Sequence, residues 1–204
     1  MKESREVDPA LGIAGGGGFD FRHDLPPIGF AMGGLPMDAP KWGAEYKRML
    51  REYFTRSVYI LAHATSLPVE TNSITLDPTL KDAWGLPAIR MTFVEHPNDV
   101  KLNEYMQDRA MELLDAAGAK KSWRFSRDPW FPQVHLLGTC RMGNDPKTSV
   151  VDRHHRAHDV PNLIIVDGSS FVTSGRGQPT MTIQALAFRA ADHASRMARG
   201  AARS

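Results

Sequence analysis

The sequence is short of several things, and each shortage excludes something. It holds one cysteine, Cys140, so it cannot close an internal disulfide, and secreted and cytoplasmic settings both stay open. It contains no run of about 18 apolar residues, so nothing in it reads as a membrane-spanning helix. The opening residues Met1-Lys2-Glu3-Ser4-Arg5-Glu6 are charged and lack the apolar stretch of a signal peptide. As written, the chain is expected to be cytoplasmic, with no direct membrane insertion. Excess charge is lacking too: 25 basic residues against 23 acidic ones give a formal net charge of +2. No basic patch interleaved with aromatics points to a nucleic-acid partner. No internal repeat stands out.

What is present is ordinary for a globular chain. The 204 residues are 42% hydrophobic and 24% charged, enough to bury a sizeable core. Residues 1–39 read as an irregular, wrapping segment: Gly15 to Gly18 run together, and Pro26-Pro27, Gly33-Gly34 and Pro36 follow. Beyond Pro40, the spacing of Trp42, Tyr46, Met49, Leu50 and Tyr53 predicts a helix. Val58–Ala62 reads as a strand. Asn72–Leu76 alternates polar and apolar and is expected to close at the Asp77-Pro78 turn; Ile89–Val94 alternates again. These are expected as half-buried strands of an antiparallel sheet. Pro97-Asn98-Asp99 opens a second helix, which Gly118 is placed to stop. Trp123–Phe125 is a candidate short strand.

The last third differs in character. Asn162–Gly168 is a continuously apolar run ending in Asp167-Gly168, the pattern of a strand buried on both faces in a parallel sheet. A long helix is expected from Pro179 or Thr180 to Gly200, with Ile183, Leu186, Ala187, Ala190, Ala191, Ala194 and Met197 facing inward.

Three segments carry candidate chemistry. The first is Val134–Gly143, in which His135 follows an apolar residue and leads into a Gly138-Thr139 turn. Alone, such a histidine is more often a satisfied core residue than a catalyst. The second is Val166–Ser170, at the carboxyl end of the expected strand, the edge where open α/β sheets bind ligands. A plain strand-ending turn explains it equally well. The third is Gly177–Ile183, a helix entry whose unpaired N–H groups favour an anion. An ordinary capped helix does so too. His154, His155 and His158 cluster, but without cysteine or carboxylate partners at ligand spacing no metal is expected. Cys140 reads as a small buried filler before a reactive thiol. Arg141 and Arg176 fit either a surface role or contact with an anion.

Taken together, the segments are more specific. His-x-x-Gly-Thr-x-x-Met-Gly, then Asp-Pro and Ser-Val-Val-Asp, then Asn-Leu-x-x-Val-Asp-Gly-Ser, then Pro-Thr-x-Thr-Ile-x-Ala-Leu-Ala resembles the carboxyl-terminal signature of the glucose–methanol–choline oxidoreductases. The strong likeness runs from His135 to Ala191, and residues 44–134 resemble the family's substrate-binding region more loosely. The resemblance implies FAD as cofactor and oxidation of a CH–OH group to a carbonyl, with a small alcohol or sugar as substrate. It implies His135 as catalytic base, Asp167 and Gly168 along the flavin, and Pro179, Thr180 and Met181 at the helix entry near its ring. The family usually places histidine or asparagine just before the final Pro-Thr; here that position is Gln178, an amide one methylene longer than asparagine. The tail is most similar to bacterial sugar and sugar-acid dehydrogenases, which implies electron acceptors other than oxygen.

One family feature is not found. FAD binding there relies on a Gly-x-Gly-x-x-Gly turn between a strand and a helix, and no such turn occurs; Gly175-Arg176-Gly177 is only a partial imitation. The expectation is a fragment, split-gene product or truncated reading frame that holds FAD incompletely and requires a separate FAD-binding chain. The fold expected is α+β: an antiparallel substrate-domain sheet with flanking helices, plus one strand and one long helix of an otherwise missing FAD-binding α/β domain. By residues, 1–39 wrap, 40–160 form the substrate-binding domain, and 161–204 complete the flavin domain. The competing reading is a catalytically inactive remnant with a binding or assembly role.

Overall fold

A computed structural model describes residues 9–125 and 135–201. They fall into two compact units. One runs to Ala64 and resumes at Val100; the other takes Thr65–Asp99 and the chain from His135 onward. The described architecture is α+β, with two antiparallel two-stranded sheets and four α-helices.

In the first unit, β1 (Gly17–Arg22) pairs antiparallel with β2 (Tyr59–Ala64), Gly17 lying opposite Ala64 and Arg22 opposite Tyr59. The connection holds a single helical turn α1 (Pro27–Gly29), a π-turn over Phe30–Gly34, and α2 (Gly43–Tyr53). Phe30, Leu35, Ala39 and Met49 are buried together, with Tyr46, Leu50 and Tyr53 packed against them, so the helical spacing after Pro40 does face a core. The Tyr46 hydroxyl donates to the Ala31 carbonyl at 2.8 Å and ties α2 to the π-turn. Trp42 is the exception: it precedes the helix and is exposed.

The glycine run is not the loop expected. Gly17 and Gly18 lie within β1, where a Cβ on Gly17 would sit 2.6 Å from the His63 carbonyl oxygen and 2.7 Å from Met106 Cε. Glycine lets the strand approach both neighbours closely. Met106 and Leu102 are the buried residues of α3 (Pro97–Ala116). That helix ends as its sequence predicts: Gly118 donates to Asp115 at 3.0 Å, Ala119 to Leu114 at 3.0 Å, and Gly118 has φ 79°. Trp123–Phe125 forms no strand; the Trp123 ring instead lies 5.8 Å from that of Tyr53.

In the second unit, β3 (Ser73–Lys81) and β4 (Pro87–Thr92) make a hairpin, with Ser73 opposite Thr92 and Leu76 opposite Ile89. Asp77-Pro78 does not end the strand but sits in an irregularity between Leu76 and Lys81. The Asp77 carboxylate accepts from the Thr79 and Leu80 amides at 2.9 and 2.8 Å, which supplies partners where the ladder shifts. Ile74, Leu76, Ile89 and Met91 share a face, as the alternation predicts, yet all four are more than half exposed. The half-buried expectation is corrected: a two-stranded hairpin cannot bury its own apolar face.

The run Asn162–Gly168 is expected to join a parallel sheet whose other strands lie outside this chain. It is extended, but its ladder is one isolated antiparallel bridge, Arg156 with Ile164, not a parallel sheet. Leu163, Ile164 and Val166 are exposed; among the described residues the segment's cross-strand pairing is with the 152–158 loop. α4 (Thr180–Ala201) starts where expected and runs past Gly200. Ala190 is buried and Ile183, Leu186, Ala187 and Ala194 are partly so, whereas Ala191 and Met197 are exposed. An open apolar groove of about 670 Å³ is lined by Ile164, Val166, Ala187, Phe188 and Ala190, with Gln184 and Ala191. No helix among the described residues is long and apolar enough to cross a membrane.

The close approach at Gly17 generates a test. Gly17→Val is expected to lower the unfolding free energy by about 1–3 kcal/mol through overpacking against the His63 backbone. A denaturant midpoint equal to that of the wild-type chain would count against the β1 placement.

Candidate functional site

The three chemistry-bearing segments meet within the second unit. Backbone pairing joins the first two: the Cys140 amide donates to the Ser169 carbonyl and the Met142 amide to the Ser170 carbonyl, each at 2.9 Å. Gly138, with φ 95°, provides the turn that directs the chain from His135 into this pairing. The third segment joins at Gly168. A Cβ there would stand 2.6 Å from Leu137 Cδ2 and 3.3 Å from Ile183 Cδ1. Buried Gly168 is thus where the residues after His135, the Asp167–Ser170 turn and the first turn of α4 pack on one another.

That packing brings two polar side chains together. His135 Nε2 lies 2.8 Å from Gln178 Oε1, although 43 residues separate them. The pair opens to solvent, with His135 half-buried and Gln178 exposed. An imidazole and an amide so placed can accept and donate protons and hydrogen bonds at a single bound oxygen. Behind them α4 begins, its first ladder bond running from the Ile183 amide to the Pro179 carbonyl at 2.9 Å. The amides before Ile183 therefore lie outside the helical ladder and give that end a partial positive charge. Thr180 and Met181 are exposed there, Met181 by 74%.

Asp167 sits otherwise than a free carboxylate would. Its Oδ1 accepts from the Ser169 amide at 2.8 Å and caps the 3-10 turn Gly168–Ser170. The Ser169 hydroxyl and then its amide hold the carboxyl below its ordinary range, against a smaller opposing effect of desolvation. Ser170 is fully buried, and its hydroxyl donates to the Asp167 carbonyl at 2.9 Å.

The remaining candidates disperse. The His154 ring stacks on that of His193, with centroids 3.9 Å apart. His158 Nε2 lies 2.9 Å from Ser149 Oγ. His155 is fully buried, with Nδ1 2.9 Å from the Ile165 carbonyl oxygen. Among the described residues no group of three or more His, Cys, Asp or Glu side chains is arranged to hold a metal ion. Cys140 is half-buried, and Arg141 donates through Nε to the Thr148 carbonyl at 2.8 Å. Val134 lies outside the described residues. Sequence reasoning passed over Leu137 and Ser169; the apolar residue two after His135 and the serine two after Asp167 were the available signals.

Comparison with known proteins adds a second line of evidence. Residues 68–187 match the carboxyl-terminal family model described as GMC oxidoreductase. The chain is 40% identical over 194 residues to a 2-methyl-1,2-propanediol dehydrogenase of Mycolicibacterium austroafricanum, an alignment covering 95% of this chain and 35% of that protein. It is 33% identical over 155 residues to the fructose dehydrogenase large subunit of Gluconobacter japonicus, covering 74% of this chain and 27% of the relative. Identity to the gluconate 2-dehydrogenase flavoprotein of Pantoea cypripedii is 29% over 160 residues, covering 75% and 26%. The chain thus matches about a third or less of the length of these relatives.

The capping carboxylate makes the site pH-sensitive in a defined direction. Because its folded-state pKa is depressed, Asp167 contributes stability above its ordinary value of 3.8 and loses that contribution as pH falls through the lower folded value. Asp167→Ala is expected to lower unfolding free energy by about 0.5–1 kcal/mol at neutral pH. In denaturant titrations the gap between variant and wild type should close in acid; a gap that widens instead would refute the cap.

Proposed function

The chain belongs to the GMC oxidoreductase family, and on that footing we propose that it is the carboxyl-terminal, substrate-binding portion of an FAD-dependent oxidoreductase acting on the CH–OH group of an alcohol or sugar. The observation that carries the reading is the His135–Gln178 pair at the meeting point of the three family segments. Relatives named as a propanediol dehydrogenase and a fructose dehydrogenase support the alcohol or sugar class.

The residues present fit a flavin's reacting edge. Thr180 and Met181 open a helix whose free amide end favours the negative charge that a reduced ring carries near its N1–C2 edge. Gly168 brings backbone beside Ile183 of that helix and beside Leu137, two residues after His135. FAD, when bound, supplies the hydride acceptor. The chain's own part is proton chemistry and orientation. His135 takes the hydroxyl proton as the alcohol carbon gives up hydride, and an unprotonated imidazole does this near neutral pH. Gln178 holds the same oxygen through its amide and fixes which carbon faces the flavin. Asp167 stays with Ser169 and takes no proton.

The same proposal assigns the ADP half of FAD to a separate FAD-binding chain or segment. The exposed apolar side chains Ile164, Val166 and Phe188 support such a partner. Gluconate and fructose dehydrogenase names that specify a flavoprotein and a large subunit support it in kind.

The direct test is His135→Asn in the FAD-loaded protein, assayed with an artificial electron acceptor. The alcohol-dependent rate of flavin reduction should fall roughly 10²–10⁴-fold while the flavin remains bound. An unchanged rate would remove His135 from the chemistry. A wild-type protein that binds flavin but is reduced by no alcohol or sugar would favour the inactive-remnant reading.

A further inference from the structure

We propose that Gln178 is a positioning residue that holds His135 in a closed pair, and that a substrate hydroxyl has to open this pair before it can react. The inference rests on the reading of His135 as base and adds how access to that base is controlled. Its starting observation is the 2.8 Å separation of His135 Nε2 and Gln178 Oε1. An amide oxygen only accepts, so in this contact the ring nitrogen donates its proton and has no lone pair to offer. With the amide turned over, its NH2 donates to the bare ring nitrogen and spends the lone pair instead. In both orientations Nε2 is engaged by Gln178 and closed to any other hydrogen.

The length of the side chain makes this closure possible. Asparagine is shorter by one carbon–carbon bond, about 1.5 Å of reach, and a gap of 2.8 Å lengthened by that amount is no longer a hydrogen bond. The backbone at this position is constrained on both sides. Gly177 has φ 100°, and the Pro179 carbonyl is committed to the Ile183 amide.

A hydroxyl group suits the opened pair. Its hydrogen is donated to Nε2, and its oxygen accepts from the turned amide, so one inserted oxygen replaces the lost contact with two. The carbonyl product accepts from the amide and from the proton that Nε2 has just gained, so the opened pair holds it by two contacts as well. Breaking one solvent-open hydrogen bond weakens apparent substrate binding by roughly 2–10-fold.

The test needs neither flavin nor turnover. Diethyl pyrocarbonate acylates an unprotonated ring nitrogen, and mass mapping of the full chain gives the rate at each histidine. Gln178→Asn should speed modification of His135 roughly 2–10-fold by removing the Gln178 contact from Nε2. Gln178→Glu, with a carboxylate that accepts and favours the imidazolium, should slow it below the wild-type rate. Opposite effects from two changes of similar size are not produced by a packing role. His155, fully buried, reports on folding and should stay unmodified throughout. Equal rates at His135 in wild type and Gln178→Asn would overturn the proposal, and so would acceleration at His135 and His155 together. Either result leaves the test of His135 as base standing on its own.

Discussion

The site depends on a short stretch of backbone pairing. Two amides of the segment after His135, those of Cys140 and Met142, donate to two consecutive carbonyls, those of Ser169 and Ser170. Each such bond adds only about 0.5–1.5 kcal/mol net. Their consequence is positional: they fix the register between two parts of the chain that are about thirty residues apart, and with it the place of His135. Gly168 allows the contact to be close, since Leu137 occupies the space where a side chain on that residue would stand. Ile183 fills the other side and attaches the helix start to the same point.

Support for the turn comes from behind. The Asp167 carboxylate caps it and the Ser170 hydroxyl closes back onto Asp167. Further along, His155 holds the extended segment that feeds the turn. It adopts a left-handed backbone, φ 65°, uncommon for a residue with a Cβ. Its carbonyl accepts from the Ile165 amide and its Nδ1 faces the Ile165 carbonyl, so backbone and ring grip one residue from both sides. A carbonyl can only accept, which places the ring proton on Nδ1. Burial here serves positioning, whereas His135 and Gln178 open to solvent.

Much of this was legible because the relevant information is local. The stripe of Tyr46, Met49, Leu50 and Tyr53 marks a helix by spacing alone. Gly118 stops α3 through its own backbone, and Thr180 begins α4 after a proline. The likeness of His135, Asp167-Gly168 and Gln178-Pro179-Thr180 to one family pointed to a shared site before any contact was known. Long-range choices were less legible. Nothing near Gly17 says that His63 and Met106 will lie against it, so a glycine run looks like a loop. The alternation of Ile74, Leu76, Ile89 and Met91 gives their common face but not what covers it. For Asn162–Gly168, apolar content suggested burial in a parallel sheet, and pairing with the 152–158 loop produced a single antiparallel bridge. The Gln178 contact with His135 depends on side-chain reach, which a motif does not encode.

The register between the two segments can be read directly from backbone amide exchange in the full chain, followed residue by residue by nuclear magnetic resonance. Protection at both Cys140 and Met142, with exchange far slower than for an unstructured peptide, is the result this account requires. Exchange at both amides at the unprotected rate, in a chain whose α4 amides remain protected, would contradict it.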